Sequence, residues 1–313
     1  MGERAAGRLA GALRRRGPLR ADGRARSFPP RGGARERGIF RVIASAADGA
    51  RLYFVDQRPA DVAAPAVLWL QGLNAPGAAW AVQMAHFART HRSIAPDPRG
   101  VGKSDAPPGP YTTAQMADDA LRVLDACEVE RAHVVGLSLG GAVAQELALA
   151  RPERIRTVAF LASFARQPPR SRALLEAWRT LYPSVTQGAE LRDAWEKQAY
   201  AWLFSDAFWR SEANVRAAFR FASSQPLQPV AGFLGQVDAA LAHDARERLP
   251  GLRLPALVLH GALDQLAPLA AGEEIARLIP GAELRVVPNV GHAVNLEGQR
   301  AVNESLRSLW KRG

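Results

Sequence analysis

Four short runs are almost continuously apolar: AVLWL (66–70), AHVVGL (132–137), IRTVAFLAS (155–163) and ALVLH (256–260). Each is short for a packed helix and too uniformly apolar for a strand with one wet face. Runs of this kind belong to strands covered on both sides. Helical spacing appears between them. In AAWAVQMAHFA the bulky residues are Trp80, Met84 and Phe87. In TTAQMADDALRVLDAC they are Met116, Leu121, Leu124 and Cys127, after Thr112 and Gln115 in capping-box spacing. Apolar strands alternating with amphipathic helices predict a parallel α/β sheet.

The edges of the pattern follow the same logic. IFRVIAS (39–45) and RLYFVDQ (51–57) flank the turn signal AADGA and read as a hairpin. RSIAPD (92–97) and AELRVV (282–287) complete a set of eight strands. The alternation breaks once, after the sixth strand. Residues 165–250 read as helices with aromatics throughout, Trp178, Trp195, Trp202 and Trp209 among them. The expected organisation is therefore a core of residues 39–164 and 251–313 with a helical insertion at 165–250. The insertion's aromatics could line a pocket or form its own core, and the sequence favours neither.

Residues 1–38 have a different texture. They hold eleven Arg against Glu3, Asp22 and Glu36, so eight of the eleven net positive charges sit there. With few bulky apolar residues, such a segment cannot offset the entropy of ordering and reads as a disordered, solvated extension or the product of a misplaced start. No apolar h-region marks it as a secretory signal. A transit peptide or weak polyanion binding are the alternatives, and the domain itself, nearly neutral, gives no nucleic-acid footprint. No stretch is long and apolar enough to span a membrane. Cys127 is the single cysteine, so no intrachain disulfide forms, which suits a reducing, cytoplasmic setting.

The chemistry gathers around GLSLGG (136–141). It joins an apolar strand to a helix, so Ser138 stands at the carboxyl edge of the sheet, where open α/β sheets bind ligands. A reversal this sharp needs small flanking residues, hence Gly136 and Gly140. The helix start brings free N–H groups and a positive dipole beside the hydroxyl. A serine hydroxyl needs a base, and the base needs an orienting group. His292, in PNVGHAVNLE after the eighth strand, and Asp264, in HGALDQLAP after the seventh, lie in loops at the same edge. His260 ends a strand and reads as support for the acid loop. His243 falls in the insertion and reads as solvated. Asp97 and Asp105 read as organisers of their own loop. Two backbone donors for a developing oxyanion are expected at Leu139 and, after the third strand, Leu73.

LQGLNAPGAAW, APDPRGVGKSD, GLSLGG, LHGALDQLAP and VPNVGHAVNLE, in this order, resemble the α/β-hydrolase superfamily over residues 39–312. The resemblance implies an eight-stranded, mostly parallel sheet with helices on both faces and an inserted helical cap. It implies Ser138 as nucleophile, His292 as base and Asp264 as its partner. PPGPYT beside DPRGVGKSD looks like the esterase and enol-lactonase branch. A serine rather than a carboxylate at the elbow argues against dehalogenase and epoxide-hydrolase chemistry. Gln71-Gly72 departs from the His-Gly often found after the third strand and leaves that loop's hydrogen bonding open. The expected function is hydrolysis of a small carboxylic ester or lactone. The alternatives are C–C bond hydrolysis of a dienoic diketone and ligand binding without catalysis. No cofactor or metal is implied, and a homo-oligomer is left open.

Overall fold

The computed structural model describes residues 38–313. The expected N-terminal extension lies outside the described residues, apart from Gly38, which opens the first strand. Eight strands form one sheet: β1 (Gly38–Ser45), β2 (Arg51–Arg58), β3 (Ala66–Leu70), β4 (Arg92–Pro96), β5 (Ala132–Leu137), β6 (Ile155–Leu161), β7 (Ala256–Gly261) and β8 (Glu283–Val287). Their order is β1-β2-β4-β3-β5-β6-β7-β8. β2 pairs antiparallel with β1 and β4, and the pairs from β3 to β8 are parallel. Every residue of β3, β4, β5 and β7 is buried, as their apolar runs require.

Helices cover both faces. On one side Trp80, Phe87 of α1 (Ala81–Phe87), and Leu306 and Trp310 of α10 (Gln299–Trp310) pack in one cluster with Trp69. On the other, α2 (Thr113–Ala126), α3 (Leu139–Ala150) and α9 (Leu269–Leu278) bury Met116, Leu124, Leu147 and Ile275 against Leu68, Val134 and Val258. Thr112 caps α2 by accepting from Gln115 N–H at 3.0 Å, but the Gln115 side chain reaches Asp48 instead of returning to Thr112. Only half of the capping box forms. Cys127 is buried in the same core, and burial pushes its thiol up to about 12, so it packs rather than reacts.

Between β6 and β7 the chain makes α4 (Pro169–Val185), α5 (Ala189–Leu203), α6 (Asp206–Trp209), α7 (Glu212–Ser224) and α8 (Val230–Ala242). The ends of this block leave and rejoin the core side by side. The backbones of Arg166 and Asp244 form an isolated antiparallel β-bridge, and Ala245 N–H donates to Ala165 O at 2.9 Å. Trp178, Tyr182, Trp195 and Phe233 pack as one aromatic cluster inside it. One expectation is corrected here. His243 is buried, not solvated: its ring hydrogen-bonds Thr113 Oγ1 at 3.0 Å and Gln145 Oε1 at 3.1 Å. His243 directly follows α8, and Thr113 of α2 and Gln145 of α3 replace water around its ring.

The strand order places the site. From β3 the chain steps to β4 on one side and then crosses to β5 on the other. The carboxyl ends of β3 and β5 therefore lie together where the connections diverge, the position at which open α/β sheets leave a crevice. Leu70 is paired with Gly136, so the residues after each strand emerge as neighbours.

Candidate active site

Ser138 occupies the first position beyond β5 with φ 54° and ψ −120°. Side-chain-bearing residues rarely hold such a backbone, which costs about 1–3 kcal/mol unless its surroundings enforce it. Here they do. Ser138 N–H donates to Leu161 O at 2.9 Å, and Ser138 O accepts from Gly141 N–H at 2.8 Å and Ser163 Oγ at 2.9 Å. A Cβ on Gly136 would overlap the Gly140 carbonyl, and one on Gly140 would overlap the Leu70 carbonyl. Gly72 passes so close that its Cβ would lie 3.1 Å from Ser138 Cβ. The glycine spacing thus follows from three backbone segments meeting at one serine.

Asp264 follows β7 in a tight loop and is buried. Its Oδ1 accepts from Leu266 N–H at 2.9 Å and Ala267 N–H at 2.8 Å. Its Oδ2 faces His292 Nδ1 at 2.8 Å. An acceptor at that distance assigns the ring proton to Nδ1 and leaves Nε2 with a lone pair. His260 lies behind the pair, with Nε2 2.8 Å from Ala267 O and 3.6 Å from Asp264 Oδ2. Burial holds its imidazole below the ordinary value, so it stays neutral beside the carboxylate. His260 therefore contacts the acid loop rather than the cavity. Asp97 accepts from Gly77 N–H and Lys103 N–H, both at 2.9 Å, and Asp105 pairs with Arg51; both organise loops.

A cavity of about 920 Å³ opens between the sheet edge and the helical block. Ser138, His292, Leu73 and Leu139 line its floor, and Trp178, Trp195 and Phe233 reach its walls from the aromatic cluster. These aromatics are both core and lining. No hydrogen bond joins Ser138 Oγ to His292 in this structure; both line the cavity, while His292 and Asp264 are bonded directly. Among the described residues, neither Leu73 N–H nor Leu139 N–H has an acceptor within the protein.

Two residues at this site carried no signal read from the sequence. Glu297 accepts from Gly291 N–H at 3.1 Å, from Ser205 N–H at 3.2 Å and from Ser205 Oγ, tying the histidine loop to the helical block. Its place five residues after His292 was the only available hint. Ser163, which holds the Ser138 carbonyl, stands at the end of a strand run and looks like an ordinary small residue in sequence.

A family model described as alpha/beta hydrolase fold matches residues 65–299. The chain belongs to the α/β-hydrolase family. RutD of Azorhizobium caulinodans, named for carbamate hydrolysis, is 31% identical over 242 residues, 77% of this chain and 89% of that protein. The 2-hydroxymuconate semialdehyde hydrolase of Pseudomonas sp. (strain CF600) is 33% identical over 227 residues, 70% of this chain and 76% of that one. Among solved structures, the enol-lactonase from Burkholderia xenovorans LB400 superposes with a TM-score of 0.75 at 26% identity, covering 86% of this chain and 100% of its own. This α/β hydrolase is thus a hydrolytic enzyme, with relatives named for different substrates. No helix among its described residues is long and apolar enough to cross a membrane.

Proposed function

We propose that this α/β hydrolase cleaves a small carboxylic ester or lactone through an acyl-enzyme on Ser138. One observation carries the reading: Ser138 stands on an enforced elbow at the cavity floor, where the Leu73 and Leu139 N–H groups also lie without protein acceptors. In this reading His292 Nε2 takes the hydroxyl proton as Ser138 Oγ bonds to the substrate carbonyl carbon. The carbonyl π electrons move to oxygen, and the Leu73 and Leu139 N–H groups receive the oxyanion. Collapse breaks the C–O bond, and His292 gives its proton to the leaving alkoxide. Water then repeats the sequence on the acyl-enzyme, releasing the acid and restoring Ser138. Asp264 remains ionised, holds the imidazole in the productive tautomer and stabilises the imidazolium. The helical block covers the cavity and supplies an apolar surface for the acyl group.

A second reading, C–C bond hydrolysis of a dienoic diketone, is favoured by the likeness to the semialdehyde hydrolase. It needs the same attack on a carbonyl carbon but a carbanion as leaving group. A fluorophosphonate probe tests what the readings share, because covalent labelling of Ser138 is expected of an activated serine and not of a binding protein. Turnover of p-nitrophenyl esters, lactones, carbamates and dienoic diketones then separates them. Labelling with turnover of the diketone alone would replace the ester reading with the second one.

A further inference from the structure

The backbone after β3 presents three successive N–H groups beside the cavity, those of Gly72, Leu73 and Asn74. The first donates to the Gln71 side chain, Oε1 at 2.9 Å. The third donates to Gln236 Oε1 at 3.1 Å. Only the middle one, Leu73, is left without an acceptor among the described residues. Asn74 also holds φ 61°, a left-handed conformation that asparagine tolerates and that a further restraint can fix.

That restraint comes from the helical block. Gln236 sits on α8, is fully buried and is absent from the cavity lining. Its Nε2 donates to Arg99 O at 3.0 Å, and its Oε1 also accepts from Gln228 Nε2 at 3.2 Å. Arg99 is itself fixed, with its guanidinium on Asp119 at 2.5 and 2.7 Å and on Asp48 at 2.9 Å. The amide is thus anchored at one end and grips Asn74 at the other. α8 comes close enough because Gly232 meets the Gly100 backbone, where a Cβ would fall 2.6 Å from Gly100 Cα. Gln236 lies one turn further along the same face.

We propose that Gln236 is a positioning residue for the oxyanion site. By holding the Asn74 amide it sets the plane of the preceding peptide and aims the Leu73 N–H into the cavity. The site is then completed by the helical block as well as by the core, and Gln71 and Gln236 together perform the bracing of this loop. The inference rests on the reading of Ser138 as nucleophile and of Leu73 as an oxyanion donor.

Loss of a whole oxyanion donor costs about 10²–10³ in kcat. A donor that is present but misdirected is expected to cost about ten- to a hundredfold. Gln236→Met keeps the length and volume of the side chain and removes all three hydrogen bonds, to Asn74, Arg99 and Gln228. It is expected to lower kcat by that factor with KM changed less than about threefold, since Gln236 does not touch the cavity. Affinity for a trifluoromethyl ketone, which forms an oxyanion on the serine, should fall in parallel with kcat/KM. If the methionine variant does not fold, Gln236→Asn leaves a buried amide one methylene short of its three partners, and the same changes are expected. Unchanged kcat and ketone affinity in a folded variant would overturn the proposal while leaving the Ser138 reading intact. A loss confined to KM would overturn it too, because it would show a cavity wall rather than an aimed donor. Absence of fluorophosphonate labelling at Ser138 in the unsubstituted enzyme would remove the catalytic reading and this proposal with it.

Discussion

Replacing Asp264 with asparagine separates the geometry of the acid from its charge. In the native loop Oδ1 accepts from Leu266 N–H and Ala267 N–H, and Oδ2 faces His292 Nδ1. An asparagine must keep its amide oxygen at the Oδ1 position, because an amide NH₂ there would meet two donors. Nδ2 is then forced into the Oδ2 position and donates to His292 Nδ1. The ring proton moves to Nε2, which can no longer accept the Ser138 proton. The fold should survive, since both backbone N–H groups stay satisfied and Tm should shift by no more than a few degrees. Asp264→Ala would instead strand those two donors at about 1–3 kcal/mol each. The expected loss in kcat for Asp264→Asn is about 10⁴-fold, the size of the tautomer effect in the serine-protease triad that serves as the handiest precedent. Steady-state kinetics on one good p-nitrophenyl ester, with Tm measured alongside, provides the test. Near-native kcat in the asparagine variant, or collapse of kcat in Asp244→Asn instead, would refute the assignment.

Gly72→Ala places a methyl 3.1 Å from Ser138 Cβ, so turnover should fall at least tenfold while urea denaturation shows only a modest loss of stability. Ser138→Ala/Asp264→Asn should be hardly slower than Ser138→Ala, because residues that act as one unit are not additive, and ester kinetics on the three variants checks it. Removal of residues 1–37 should leave Tm and kcat/KM unchanged, as their composition offers few bulky apolar side chains to pack on the domain. Burial pushes His133 down to about 3, so the unfolded chain binds its proton first as pH falls. That contribution is fully present above 6.5 and lost progressively toward pH 3, and His133→Asn should flatten the slope of stability against pH across this window in urea titrations.

The local devices were readable from the chain because each is written in neighbouring residues. Continuous apolar runs mark strands covered on both faces, and all residues of β3, β5 and β7 are indeed buried. Gly136 and Gly140 flank Ser138 because a strand-to-helix reversal has no room for side chains, and that constraint spans five positions. Loops after successive strands share an edge by topology alone, so Asp264 and His292 could be named together before their 2.8 Å contact was known.

Long-range partners left no such trace. His243 looked solvated because nothing in its own segment shows that Thr113 and Gln145 will surround it. Gln71 broke the familiar His-Gly pattern, and only the fold shows that its side chain satisfies the next N–H. Gln236 meets Asn74 across 162 positions, and Glu297 meets Ser205 across 92. Periodicity and turn chemistry are local properties, so a single sequence carries them openly. Which buried amide finds which backbone N–H depends on how α8 crosses the Gly100 loop, a packing of surfaces that exists only once the sheet and the helical block have closed on each other.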